Sequence, residues 1–171
     1  DITIRTSLLE MRSIAGATSV SEQMLSTFKH WVANQPAGYF VEAKLAERDQ
    51  RHARFGGTRY AVEPNVKDGK GGLRDLHTLF WISKYAYRLD HVRGVLGAGI
   101  LRTSEARAFA SSQRFLWTVR CFLHQHHGRE DDRLTFDAQM QLAPLIGFAD
   151  RSGLRGVCLL YTSPSPRDSN L

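Results

Sequence analysis

The sequence predicts a mainly α fold, a helical bundle-like domain with at most one short strand near residues 58–63. Three features carry that expectation. Apolar residues recur at three- and four-residue spacing along most of the chain, the period of a helix with one buried face. Helix start and stop residues flank those stretches. Alternation of the strand kind shows at Thr58-Arg59-Tyr60-Ala61-Val62-Glu63, closed by Pro64.

Each element follows in order. Residues 2–15 carry Ile4, Leu8, Leu9, Met11 and Ile14 at helical spacing, with Gly16 as the terminator. Ser19-Val20-Ser21-Glu22 has the capping-box form and predicts a helix to about Asn34, burying Met24, Leu25, Phe28 and Trp31 or Val32. Pro36 suits the start of a third helix, which runs to about Arg54 and is stopped by Gly56-Gly57. Residues 65–72 form a Gly/Lys loop. Leu73 to about Leu89 is apolar on most sides, as in a helix buried between neighbours. Gly94, Gly97 and Gly99 interrupt the next stretch. Thr103 or Ser104 then caps a long helix to about His127, with a core stripe of Phe109, Phe115, Leu116, Val119, Phe122 and Leu123. A last helix spans about Phe136–Ile146 and stops at Gly147.

Composition bounds the function classes. The hydrophobic fraction of 42% over 171 residues supports a packed core and argues against disorder. The formal charge of +6 is compatible with phosphate, nucleotide or nucleic acid as partner, and equally with an ordinary basic surface. No helix-turn-helix, zinc finger or paired RNA-binding aromatics supports nucleic acid. Cys121 and Cys158 make no disulfide framework, and no apolar run approaches the roughly 18 residues of a membrane span. His124, His126 and His127 lack a second pair of ligands, so no metal site is expected. The Asp1 start has no signal-peptide pattern and no Met, which predicts a cytoplasmic fragment beginning mid-protein. From Cys158 to Leu171 the Ser-Pro-Ser-Pro run breaks with what precedes it. That tail resembles a translated sequencing adapter, and residues 158–171 are expected to be non-native.

The chemistry concentrates at Glu63-Pro64-Asn65-Val66-Lys67-Asp68-Gly69-Lys70-Gly71-Gly72-Leu73-Arg74-Asp75-Leu76. A glycine pair opens into a helix, whose first N–H groups lack internal partners and whose dipole favours anions. Lys67, Lys70 and Arg74 surround that end. These are the ingredients of a phosphate site, each charge-assisted contact being worth roughly 1.5–3 kcal/mol. The spacing is not that of a Walker A loop. A basic loop with a glycine turn, and Asp75 favouring the helix start, explains the same residues without a ligand. Glu63 and Asp75 are candidate supporting groups. Arg129, Asp132 and Arg133 fall between two helices, either to touch nucleotide or to form an ion-paired loop capping both. Arg48, Arg51 and Arg54 read as a solvated helix face, and Trp31, Trp81 and Trp117 as core.

Three stretches also carry a resemblance. EPNVKDGKGGLRDLHTLFW (63–81), HGREDDRLTFDAQMQLAPLIGF (127–148) and DITIRTSLLEMRSIAG (1–16) are similar, in order, to segments of PII uridylyltransferases. Lys70 departs from that family, where Pro is more usual, which makes the loop less rigid. The more distant glutamine synthetase adenylyltransferases share the Gly-Gly-Leu/Ile-Arg-Asp/Glu theme. The resemblance implies a nucleotidyltransferase that moves UMP from UTP to a tyrosine of the signalling protein PII with Mg²⁺. It also implies a His-Asp hydrolase domain that removes UMP and ACT domains that sense glutamine. The catalytic Gly-Ser…Asp-x-Asp carboxylates are absent from this sequence and are expected upstream. Residues 1–157 would then be the end of the transferase domain plus the following helical domain. In that setting Lys67, Lys70, Gly71, Gly72 and Arg74 face the triphosphate, with Glu63, Asp75, Arg129 and Arg133 in support. The rival expectation is a non-catalytic helical interaction module.

Overall fold

A computed structural model describes residues 1–57, 61–89, 94 and 99–148. Six helices are described: α1 (Ile2–Leu9), α2 (Thr18–Ala33), α3 (Gly38–Arg54), α4 (Leu73–Ala86), α5 (Thr103–His127) and α6 (Phe136–Leu145). No strand occurs among the described residues; residues 58–60 of the expected strand lie outside them. The single β pairing is an isolated antiparallel bridge between Asn65 and Arg133. Gly97 and the whole of the 158–171 tail also lie outside the described residues. The chain divides into two compact units, Asp1–Gln50 with His77–Thr103, and Arg51–Leu76 with the residues from Ser104 onward.

In the first unit, α1 is half the expected length. Lys84 donates to the Leu9 carbonyl and pairs with Glu10, closing the helix there. Thr6 and Ser7 turn their hydroxyls back onto the Ile2 and Thr3 carbonyls. Beyond Leu9 the helical periodicity is not carried on: Met11 is half-buried, while Ile14 is 87% exposed. The capping box does not form either. The N-cap of α2 is Ala17, with no side-chain bond, which leaves Ser19 and Glu22 inside the helix. The core is Phe28, Val32, Phe40 and Tyr85, flanked by Leu8, Leu9 and Trp81. Phe40 and Tyr85 stack with centroids 4.0 Å apart. Of the expected pair it is Val32 that is buried; Met24 is half exposed, and Trp31, 39% exposed, lies beneath the Arg5 guanidinium at 4.7 Å.

In the second unit, Val119 and Leu123 of α5 meet Ala138, Leu142 and Ala143 of α6, with Val66, Leu134 and Phe148 filling in. Phe115, Leu116 and Phe122 pack partly against this core, as their spacing predicts. Trp117 is not core: the residue is 40% exposed, and its ring carries Arg120 at 5.4 Å. Buried Gln139 donates to the Val62 and Leu134 carbonyls, tying the residues just before the loop to the start of α6.

A charge-clamped loop at the start of helix α4

The loop of residues 64–72 is pinned to the α5–α6 connection. Val66 N–H donates to the Asp132 carbonyl at 2.8 Å, and Leu134 N–H to the Pro64 carbonyl at 2.9 Å. Within the loop, Asn65 Oδ1 accepts the Lys67 and Asp68 N–H groups, an Asx turn. The loop then folds onto itself so tightly that two glycines are obligatory. A Cβ on Gly69 would stand 2.5 Å from the Asn65 carbonyl oxygen, and one on buried Gly72 2.8 Å from those of Val66 and Lys67. Gly71 sits at φ +86°, a conformation open to glycine.

This closure changes how the loop can meet an anion. The N–H groups that would cradle a phosphate are engaged by the loop itself. Gly72 donates to the Gly69 carbonyl, Leu73 to Val66, Arg74 to Lys67 and Asp75 to Gly72, all at 2.9–3.0 Å. Gly71 N–H donates to Asp75 Oδ2 at 2.8 Å. What the loop offers outward is side-chain charge.

That charge is unevenly committed. Lys67 Nζ lies 2.8 Å from Glu130 and 3.5 Å from Asp132. Its pKa is raised above 10.5, chiefly by the Glu130 hydrogen bond and against the opposing effect of burial. Arg74 Nε is 3.5 Å from Asp68, a loose pair. Lys70 is exposed, and among the described residues its ammonium reaches the Gly57 carbonyl, at 3.3 Å. Arg129 is exposed as well.

The supporting carboxylates each hold something. Glu63 pairs with Arg133 at 2.8 Å and accepts the Phe136 N–H, capping α6 from 73 residues away. Asp132 takes Arg120 at 2.7 Å and His124 at 3.2 Å. Burial alone would raise the Asp132 pKa, but the Arg120 and His124 hydrogen bonds outweigh it and carry it below the ordinary 3.8. The same contest is settled the same way at Asp75, where burial is outweighed by the Gly71 N–H, His52 and Arg51. Asp131 is lowered by the Arg133 N–H and faces His127 at 2.9 Å. The α5–α6 connection is therefore an ion-paired loop.

One sequence expectation changes here. Arg51 is not part of a solvated face; it is paired with Asp75 and only 15% exposed. Beside it, His52 has its Nε2 at 2.8 and 2.9 Å from the two Asp75 oxygens. The three- and four-residue spacing on α3 could place these groups on a helix face, but not opposite a carboxylate 23 positions on. Among the described residues no group of three or more metal-ligating side chains comes together, and no helix is long and apolar enough to cross a membrane.

A helical protein with a clamped, cation-bearing glycine loop at a helix start is the class that fold and loop define. The chain belongs to the GlnD PII-uridylyltransferase family, whose profile matches residues 39–163. It is 49% identical over 157 residues to the bifunctional uridylyltransferase/uridylyl-removing enzyme of Nitrobacter hamburgensis. It is 48% identical over the same length to the enzymes so named in Azospirillum brasilense and Rhodospirillum rubrum. Each match covers 92% of this chain and 17% of the relative, so the chain spans about a sixth of the proteins it resembles. No solved structure matches the chain.

Proposed function

We propose that this chain is part of a cytoplasmic nucleotidyltransferase that transfers UMP from UTP to the nitrogen-signalling protein PII, in which the 64–72 loop lies against the nucleotide. The single observation that carries the proposal is the loop itself. Gly69 and Gly72 lock it against its own backbone and the Asp132 carbonyl holds its start, while Lys70 projects from it and Arg74 stands beside it on the first turn of α4. A preorganised loop presenting cations suits a polyphosphate, because little motion is lost on binding.

The parts differ in role. Lys70 and Arg74 are the phosphate contacts, with Arg129 within the same charged connection. Lys67 is held by two carboxylates and orders the loop as well as lending charge. Gly71 and Gly72 supply shape. Glu63, Asp75 and Arg133 fasten the frame. The carboxylates around the loop, Glu63, Asp68, Asp75, Glu130 and Asp132, already face cations, a poor fit for Mg²⁺, so the Mg²⁺ that accompanies UTP would be held by carboxylates outside this loop. The hydrolase and ACT domains implied by the resemblance would adjoin this chain in the longer protein.

The test is UTP binding by the full-length protein and by its Lys70→Ala, Arg74→Ala double variant. Loss of two charge-assisted contacts should weaken binding by about 100-fold or more, with thermal unfolding nearly unchanged. An unchanged UTP affinity in a folded double variant overturns the proposal and leaves the interaction-module reading in its place.

A further inference from the structure

His52 stands in none of the roles assigned above, yet it closes a ring of contacts between the end of α3 and the start of α4. Its backbone carbonyl accepts the Gly57 N–H at 2.8 Å. The Gly57 carbonyl accepts from the Lys70 ammonium at 3.3 Å. Lys70 is followed by Gly71, whose N–H donates to Asp75 Oδ2 at 2.8 Å. Asp75 returns the ring to His52, whose Nε2 lies 2.8 Å from Oδ2 and 2.9 Å from Oδ1. The imidazole is largely buried, with 14% of its side chain exposed.

The geometry divides the work at Asp75. Arg51 reaches Oδ1, so the carboxylate has a cationic partner apart from His52. What the imidazole adds is contact with both oxygens from a rigid ring. It fixes the carboxylate plane, and with it the oxygen that captures Gly71 N–H. Gly71 is at φ +86°, with open space where a Cβ would be, so no steric wall holds this peptide in place. Its orientation rests on hydrogen bonding, and it sets the direction in which Lys70 leaves the loop. A shift there of a fraction of an ångström is amplified along the four-carbon lysine stem.

We propose that His52 is a positioning residue for the nucleotide: it acts through Asp75 to hold the Gly71 peptide, and through that peptide aims Lys70 at the phosphates. This rests on the reading that the loop meets UTP. It touches no reacting atom. The expected signature is in affinity and KM for UTP, with kcat little changed, because the contact it aims is one of binding rather than of bond making.

The experiment compares the full-length protein with its His52→Ala and His52→Gln variants, Gln retaining an N–H donor on a side chain of similar reach. Four quantities are read: UTP affinity by titration calorimetry, KM, kcat, and hydrogen exchange of the peptide containing Gly71. His52→Ala should weaken UTP binding roughly tenfold, one hydrogen bond's worth, and speed Gly71 exchange by a similar factor. His52→Gln should recover most of both. A folded His52→Ala variant with unchanged Gly71 exchange overturns the inference, as does one with faster exchange and unchanged UTP affinity. If the unsubstituted protein binds no UTP, the proposed function falls instead. Gly71 exchange then still decides whether His52 holds the loop.

Discussion

At the scale of single residues, the loop's tolerance follows from where its atoms already stand. Gly72→Ala would place a methyl 2.8 Å from two backbone oxygens in a buried position, so the backbone must move. Overpacking of this kind costs about 1–3 kcal/mol, and urea unfolding should show a loss in that range. Gly71→Ala meets no atom but must hold φ +86°, which costs about 1–2 kcal/mol in backbone strain alone. A Gly72 variant as stable as the parent would mean the loop is looser than its contacts indicate. Glu130 yields a prediction of opposite sign. It is exposed and it engages the Lys67 ammonium, so it competes with phosphate for that cation. Glu130→Gln should therefore tighten UTP binding by a few-fold, and a weaker affinity would show that Glu130 serves the site rather than opposing it. The acid response follows from three aspartates held below the ordinary 3.8, Asp75, Asp131 and Asp132. A carboxyl whose folded pKa is depressed contributes stability that is fully present above its unfolded value. That stability is lost as the pH falls from there through the folded value. Urea midpoints should thus drop steeply below about pH 4, and Asp132→Asn should flatten part of that slope. Equal slopes in the two proteins would remove Asp132 from the account.

At the scale of elements, the sequence was legible where a helix is bounded by residues that act locally. Gly56 and Gly57 at φ +80° and +64° end α3, and Gly147 at φ +91° follows α6, where glycine was expected to stop each helix. The loop's extent and the opening of α4 at Leu73 were likewise readable, because glycine and lysine chemistry is local. Legibility failed where a distant group decides the boundary. α1 stops at Leu9 because Lys84, 75 positions away, takes its carbonyl. The α2 capping box was outcompeted by a start two residues earlier, with Ala17 rather than Ser19 as N-cap. The loop's cations were visible in the sequence, but the closure of its N–H groups was not, since that depends on a fold-back of Leu73 and Arg74 onto Val66 and Lys67. Helix α6 shows both kinds of control at one end. Thr135 Oγ1 accepts the Ala138 N–H at 3.3 Å, a local cap, while Glu63 accepts the Phe136 N–H at 3.1 Å from far along the chain. Each serves a different orphan donor, so Thr135→Ala and Glu63→Ala should each cost about 1 kcal/mol in urea unfolding. A Glu63 variant with no loss would make the remote cap incidental.

At the scale of the whole molecule, the division into two units falls inside α3 and α4, so no linker or change of composition announces it. Each unit nonetheless has its own buried cluster. Phe40 is fully buried against Tyr85 in the first, and Phe148 is 1% exposed among Leu123, Leu142 and Val66 in the second. Truncating either ring to alanine should cost about 3–5 kcal/mol, since the cavity left behind cannot fully collapse. The informative quantity is where that loss is felt. Hydrogen exchange reports opening free energies segment by segment, and cooperative units follow contiguous buried contacts. Phe40→Ala should speed exchange most in α2 and the first turns of α3, while the amides of α6 change little. Phe148→Ala should do the reverse, loosening α6 and the middle of α5 while α2 stays protected. The loop at 64–72 belongs with the second response, because Val66 is part of that core and its N–H is held by Asp132. Phe148→Ala should therefore also weaken UTP binding, although Phe148 lies in the apolar core and not in the loop. Uniform exchange changes across all helices in both variants would contradict this separation and make the chain one cooperative unit.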